Sequence, residues 1–267
     1  MEKIMTEKEK IFNETAKKAA KDKGYDLKKI NYYSYHMCPD QYICRIEDIS
    51  NDYFNLTKRK NIFTENTSDI INIPDAENIL VTILESSHIS EHFEQLSKYK
   101  HGDIRKNSVP AIGKYSGDTG SNIVKYIGEI FPNFSNYHLI LMNAIPFQCS
   151  LGVATRHFRY DVFKKVWTDK NIGDNFFRKR LGNLLNALSG KNVMIVNACT
   201  KGCNKGKDRD EIPFLWRLVQ NSIETMTLDE KRIIQYFRTN HPSSWSRNIK
   251  NREIKEERSI IFHKTEK

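Results

Sequence analysis

Three short apolar runs constrain this chain more than any other feature: "NILVTILE" (78–85), "YHLILMNAIPF" (137–147) and "NVMIVNAC" (192–199). Each is nearly continuous rather than alternating, and each stops abruptly at polar residues. A strand with one wet face alternates apolar and polar side chains. A run that is apolar on both parities is a strand covered on both faces, as in a parallel sheet layered between helices. "RIIQYFRTN" (232–240) is a weaker fourth candidate. Between the runs lie helical patterns at 119–131, at 173–189 (closed by a glycine) and at 211–225, with an amphipathic Lys/Glu-rich helix at 8–23. Strand and helix in alternation predict an α/β fold: a three-layer α/β/α arrangement around a short, mainly parallel central sheet. The 267 residues fit one domain, with an N-terminal extension (1–75), a core (76–250) and a basic, polar tail (251–267). Residues 30–75 are aromatic and polar by turns and read as loops with short strands.

Charge bounds the partner. Lys and Arg number 43 against 33 Asp and Glu, a net charge of +10. Such an excess favours a polyanion, through phosphate neutralisation and counterion release, unless it is dispersed over solvated helix faces. No apolar run has the length of a membrane span, so no membrane partner is expected. The first 24 residues are charged throughout, unlike a signal peptide, and the expected location is the cytoplasm. The five cysteines are odd in number and their spacings match neither a disulfide framework nor a zinc or iron–sulfur site. No metal, no cofactor and no obligate protein partner is expected.

In parallel sheets ligands bind beyond the carboxyl ends of the strands. After the first run comes Glu85-Ser86-Ser87-His88; after the second, Asn143 and "AIPFQCS"; after the third, Asn197 and "ACTKGCNKGK"; after the fourth, "HPSSW". A carboxylate, an amide and a histidine are thus expected on one sheet edge. The Gly-rich loop "VPAIGKYSGDTGS" (109–121) opens the helix between the first two strands.

Four of these segments, in this order, resemble the uracil-DNA glycosylase superfamily over roughly residues 78–250: "LESSH" (84–88) at the place of its strand-end motif, "PAIGKYSGDTG" (110–120) at that of its Pro/Gly loop, "LMN" (141–143) ending in a base-reading Asn, and "HPSSW" (241–245) at that of its HPSP-type loop. The resemblance implies an enzyme that flips a base out of DNA and hydrolyses its N-glycosidic bond. It makes His241 the hydrogen-bond donor to the leaving base and Glu85 the group that stabilises the sugar cation or orients water. It implies substrate contacts from Ser86, Ser87, His88, Asn143 and Gln148. DNA contacts would come from Pro110, Gly113, Lys114, Gly117, Lys201, Ser243, Ser244, Trp245 and Arg247, with Lys205 and Lys207 beside them. Trp245 holds the family's wedge position, where an apolar side chain fills the space of the flipped nucleotide; the alternative is a tryptophan packed under the N-terminal extension. Asn143 leaves uracil and cytosine both open, because a flipped amide exchanges its donor and acceptor.

Two departures bear on the substrate. Ser86 stands where the family has a water-activating Asp. His88 stands where a Tyr excludes bases substituted at C5, so a 5-substituted pyrimidine is admitted. The pattern looks most like a prokaryotic antiviral branch that removes glucosylated 5-hydroxymethylcytosine from phage DNA, with "FQCSLGVATRH" and "ACTKGCNKG" available to frame a sugar pocket. The competing expectations are a uracil-repair glycosylase and a binding module that has lost catalysis. A nuclease would need a carboxylate cluster for Mg2+, which the strand ends do not supply.

Overall fold

The computed structural model of the chain describes residues 5–24, 37–49, 60–62, 75–87, 93–97, 100–104, 117–149, 159–202 and 214–265. Helix α1 (Glu7–Asp22) opens with a capping box: Glu9 N–H donates to Thr6 Oγ1 and Thr6 N–H donates back to the Glu9 carboxylate. Strands β1 (Gln41–Arg45) and β2 (Lys60–Asn61) precede β3 (Asn78–Ser86), and a separate hairpin pairs β4 (Phe93–Ser97) with β5 (Lys100–Ile104). Then follow α2 (Gly117–Ile130), β6 (His138–Ile145), α3 (Arg159–Trp167), α4 (Asp174–Ala187), β7 (Asn192–Asn197) and α5 (Leu215–Glu224). The chain closes with β8 (Thr227–Leu228), β9 (Arg232–Arg238) and β10 (Glu256–Lys264).

The sheet runs β2-β1-β6-β3-β7-β9-β10-β8. Its centre, β6-β3-β7-β9, is parallel throughout and is built from the four apolar runs. The expected short, mainly parallel sheet needs correction, because the sheet is long and mixed. β1 adds antiparallel to β6 on one side and β10 antiparallel to β9 on the other. The expectation failed at the flanks because β1 is short and lies in an aromatic and polar segment, and because β10 carries few apolar residues. β10 is "EERSIIFHK", with only Ile260 and Phe262 buried, and it hides inside a segment that reads as a charged tail.

Alternate residues of the central strands enter opposite faces, which is why the runs are apolar on both parities. On one face Ile79, Val81, Ile83, Ile140, Met142, Ile195 and Tyr236 pack with α1, α3, α4 and α5. On the other Leu80, Leu84, Leu139, Leu141, Val196 and Phe237 pack with α2. The connection from β3 to β6 therefore crosses one face through α2, whereas those from β6 to β7 and from β7 to β9 cross the other. Since β3 lies between β6 and β7, the chain leaves it and its neighbour β7 in opposite directions. A crevice opens at such a switch point, beyond the carboxyl ends of the two strands. Among the described residues no helix is long and apolar enough to cross a membrane.

If β10 is a structural strand rather than a tail, Phe262→Ala should destabilise the protein by about 3–5 kcal/mol in a denaturant titration. A solvated tail residue would change it by less than about 0.5 kcal/mol.

Candidate active site

At the end of β3, Glu85 is 1% exposed. Its Oε1 pairs with Arg159 Nη1 at 2.5 Å, and its Oε2 accepts from the Thr200 main-chain N–H at 3.0 Å. Arg159 is the first residue of α3, and Thr200 follows β7. Burial alone pushes the Glu85 carboxyl up. The Arg159 guanidinium, then His241, then the Thr200 hydrogen bonds outweigh it and hold the pKa below the ordinary carboxylate value. Glu85 is therefore a buried carboxylate that stays ionised.

His241 caps the 3-10 turn Pro242–Ser244. Its Nδ1 accepts from the Ser243 N–H at 3.3 Å and lies 2.9 Å from Ser243 Oγ. An accepting Nδ1 assigns the proton of the neutral ring to Nε2. Burial pushes its pKa down to about 4, against the upward pull of Glu85. The residue is half-buried and lines the cleft. The site thus pairs an ionised carboxylate with a neutral imidazole.

The loop that carries His241 is held from several sides. Asn122 of α2 donates to Pro242 O at 2.8 Å, Ser244 Oγ donates to His241 O at 2.8 Å, and Asn251 Nδ2 donates to Ser244 O at 2.9 Å. Trp245 is the anchor. It is 1% exposed within the α2-side core, and its indole N–H donates to Asn240 O at 2.8 Å. The wedge expected of Trp245 is therefore corrected. The tryptophan packs beneath α2 rather than pointing outward, in a core cluster that also takes in Ile43 and Ile46 of the N-terminal extension. A large ring with one satisfiable N–H is more stable inside the core, and the two small serines let the turn close over it.

His241 and Arg159 line a cleft of about 340 Å³ together with Thr200, Lys201, Trp216, Arg238, Asn240, Ser243, Ser244 and Arg247. Its charged lining is cationic: Arg159, Lys201, Arg238 and Arg247. Arg238 lies over the Trp216 ring at 4.3 Å and pairs with Glu256 at 3.2 Å. Arg247 is exposed, and Lys201 lies 5.7 Å from the Phe214 ring centre.

The other expected site residues fall into groups. Ser86 ends β3 and hydrogen-bonds the Cys149 thiol, and Ser87 is buried beside it. Asn143 lies opposite Leu84 in the β3–β6 register and is 3% exposed. Gln148 is fully buried, and among the described residues neither end of its side-chain amide has a hydrogen-bond partner. Gly117 takes φ +68° at the start of α2, a left-handed conformation that suits glycine. His88, Pro110, Gly113, Lys114, Lys205 and Lys207 lie outside the described residues. Arg159, Thr200, Trp216, Arg238 and Asn240 escaped sequence reading. Arg159 and Trp216 sit at helix starts after strand ends, so extending the strand-end rule through each loop to the next helix would have found them. Among the described residues no group of three or more His, Cys, Asp or Glu gathers to hold a metal.

No protein-family model matches the chain, and no curated protein and no solved structure matches it.

Trp245→Ala should cost about 3–5 kcal/mol of stability, as for a core aromatic, where a solvent-facing wedge would cost almost nothing. The two depressed pKa values also make stability depend on pH with a definite sign. The contribution of neutral His241 is complete above its ordinary pKa of 6.5 and is lost as pH falls towards about 4. That of Glu85 is complete above 4.5 and is lost below it, as the folded-state carboxyl takes up its proton. Replacing His241 by Asn should flatten the fall in denaturation midpoint between pH 6.5 and 4. An unchanged slope would mean that His241 is solvated and titrates normally.

Proposed function

We propose that the protein is a monofunctional DNA glycosylase that flips out a modified pyrimidine and hydrolyses its N-glycosidic bond, leaving an abasic site. The single observation that carries this reading is a cationic strand-end cleft that neutral, Nε2-protonated His241 lines, with the ionised Glu85 carboxylate buried just behind it on two of the lining residues, Arg159 and Thr200. Glycosidic cleavage separates charge. As the bond from C1′ to the base nitrogen breaks, the sugar becomes positive and the base negative. Glu85 stabilises the first and the Nε2–H of His241 donates to an oxygen of the second, each acting on charge as it develops. Water then adds its hydroxyl to C1′, and its proton ends on the released base. A neutral imidazole suits this role because it donates a hydrogen bond without having to lose a proton.

The cations have a separate task. Lys201 and Arg247 face the phosphates, and Ser243 and Ser244 offer hydroxyls beside them. The substrate we infer is glucosylated 5-hydroxymethylcytosine in phage DNA, which places the enzyme in antiviral defence in the cytoplasm. Support for a base substituted at C5 is His88 in the position of the excluding Tyr, and the polar lining of the cleft suits a sugar. Ordinary uracil repair is the alternative substrate assignment.

One observation favours a second reading, a binding module without catalysis. Glu85 is covered and already neutralised by Arg159. In that reading Arg159 never releases the carboxylate's field to a sugar, and the cleft only holds nucleic acid.

Matched duplexes carrying one uracil, one cytosine or one glucosylated 5-hydroxymethylcytosine, treated with alkali after incubation, distinguish these readings. The proposed enzyme cuts only at the glucosylated base. Glu85→Gln and His241→Ala each lower release at least about 100-fold while DNA binding survives. Cleavage at uracil moves the assignment to repair. Tight binding with no cleavage by the wild-type protein establishes the binding module.

A further inference from the structure

The cleft is not the only place where charge is buried. Asp40 and Arg180 are each 2% exposed and make a bidentate pair: Arg180 Nε donates to Asp40 Oδ2 at 3.1 Å and Nη2 donates to Oδ1 at 2.7 Å. The same Nη2 donates to the main-chain carbonyl of Asn143 at 2.6 Å. Three distant parts of the chain meet there. Asp40 directly precedes β1, Arg180 lies in the middle of α4, and Asn143 is near the end of β6.

A buried ion pair is a poor way to gain stability. Two charges lose their water, and an apolar pair of similar volume commonly serves as well or better. Burial in fact pushes the Asp40 carboxyl up even with Arg180 bonded to it. What an apolar pair cannot supply is direction. The guanidinium is planar and reads two acceptors at fixed angles. Asp40 is itself tied to the sheet, because Gln41 pairs with Leu141, two residues before Asn143, and the Asp40 carbonyl accepts from Ile62 N–H at 3.1 Å. A second tie runs from Cys38 N–H to Pro146 O at 2.7 Å, just beyond Asn143. The ring of Phe176, one helical turn earlier on α4, lies 5.4 Å beneath the guanidinium. Arg180 is thereby fixed through Nε and Nη2, and it holds the backbone at Asn143.

We propose that Arg180, held by Asp40, is the positioning residue for Asn143, setting the amide's orientation and with it the choice of base. This rests on the glycosylase reading, in which Asn143 reads the base edge. The pair is electrically neutral as a unit, so it orients Asn143 without adding net charge at the pocket. It also gives the N-terminal extension a function, since Asp40 is the extension's contribution to the site. The small tolerance of such sites explains why two buried charges are kept: a displacement of about 1 Å in a reading group costs on the order of 100-fold in rate.

The test is the double variant Asp40→Leu/Arg180→Met, which removes both charges together and so avoids leaving one unpaired. It should fold with a Tm equal to or above that of the wild type and bind the glucosylated duplex with unchanged affinity, while kcat for base release falls about 100-fold. Adding Asn143→Ala to it should cost nothing further, although Asn143→Ala alone is as damaging as the double variant. Additive losses, or an unchanged kcat, would overturn the proposal. A readout independent of activity keeps this outcome apart from a failure of the glycosylase reading. In the wild type the two side-chain NH2 protons of Asn143, assigned by their loss in Asn143→Ala, should be well separated in an NMR spectrum. In the double variant both should shift to the values of a solvent-exposed Asn side chain, still as two separate lines because rotation about the amide C–N bond stays slow. Identical Asn143 resonances in the two proteins would refute positioning whether or not either releases a base.

Discussion

A carboxylate that is 1% exposed must be neutralised where it stands, and Glu85 is such a group. The cost of burying a lone charge is several kcal/mol, so the fold cannot close around β3 without partners for it. Arg159 and the Thr200 N–H supply them, and each arrives from a different connection of the sheet. The start of α3 and the end of β7 are therefore fixed relative to the end of β3 by electrostatics as well as by packing. His241 enters the same cluster from the end of β9, and its neutral state follows from burial acting against the pull of Glu85. The crevice at the switch of the parallel strands gives these groups a common edge. The ion pair gives them their charge states.

The same economy recurs a few residues away. Asp40 and Arg180 are buried as a pair, and the pair is spent on the carbonyl of Asn143. The two buried pairs flank the register position where Leu84 faces Asn143. Both use Arg rather than Lys, as directional bonding in a dry site requires. The cations that remain around the cleft are arranged differently. Arg238 lies flat on Trp216, and Arg247 is open to solvent. Of these arginines only Arg180 is fully buried; Arg159 is half-buried and lines the cleft together with Arg238 and the exposed Arg247.

Much of this was legible in the sequence. The central strands were readable because an apolar run on both parities has few other uses, and four helices appear where the 3.6-residue period placed them. Glu85 and His241 were readable because each stands where an apolar run turns polar, and Asn143 because a lone amide interrupts the run of β6, which continues to Ile145. What escaped was of two kinds. β10 escaped because a flanking strand needs only a few buried residues; Ile260 and Phe262 do not stand out among charged neighbours, whereas the short strands expected within 30–75 include β1 and β2. Arg159, Arg180 and Asp40 escaped because the meaning of a charged residue lies in its partner, and these partners are far apart in the chain: Asp40 and Arg180 are separated by 140 positions. Trp245 was readable as unusual, but not as buried. Its environment depends on the fit of α2 against the loop, which no local pattern encodes.

The central claim is that a neutral His241 and an ionised Glu85 act together on one substrate, and the pH dependence of single-turnover base release tests it most directly. The account predicts a rate that is level from about pH 8 downward through 6.5, the ordinary histidine value, and that falls only as pH approaches 4, where His241 takes up its proton. A rate that instead climbs as pH drops through 6.5 would show that the imidazolium is the working form and would contradict the account.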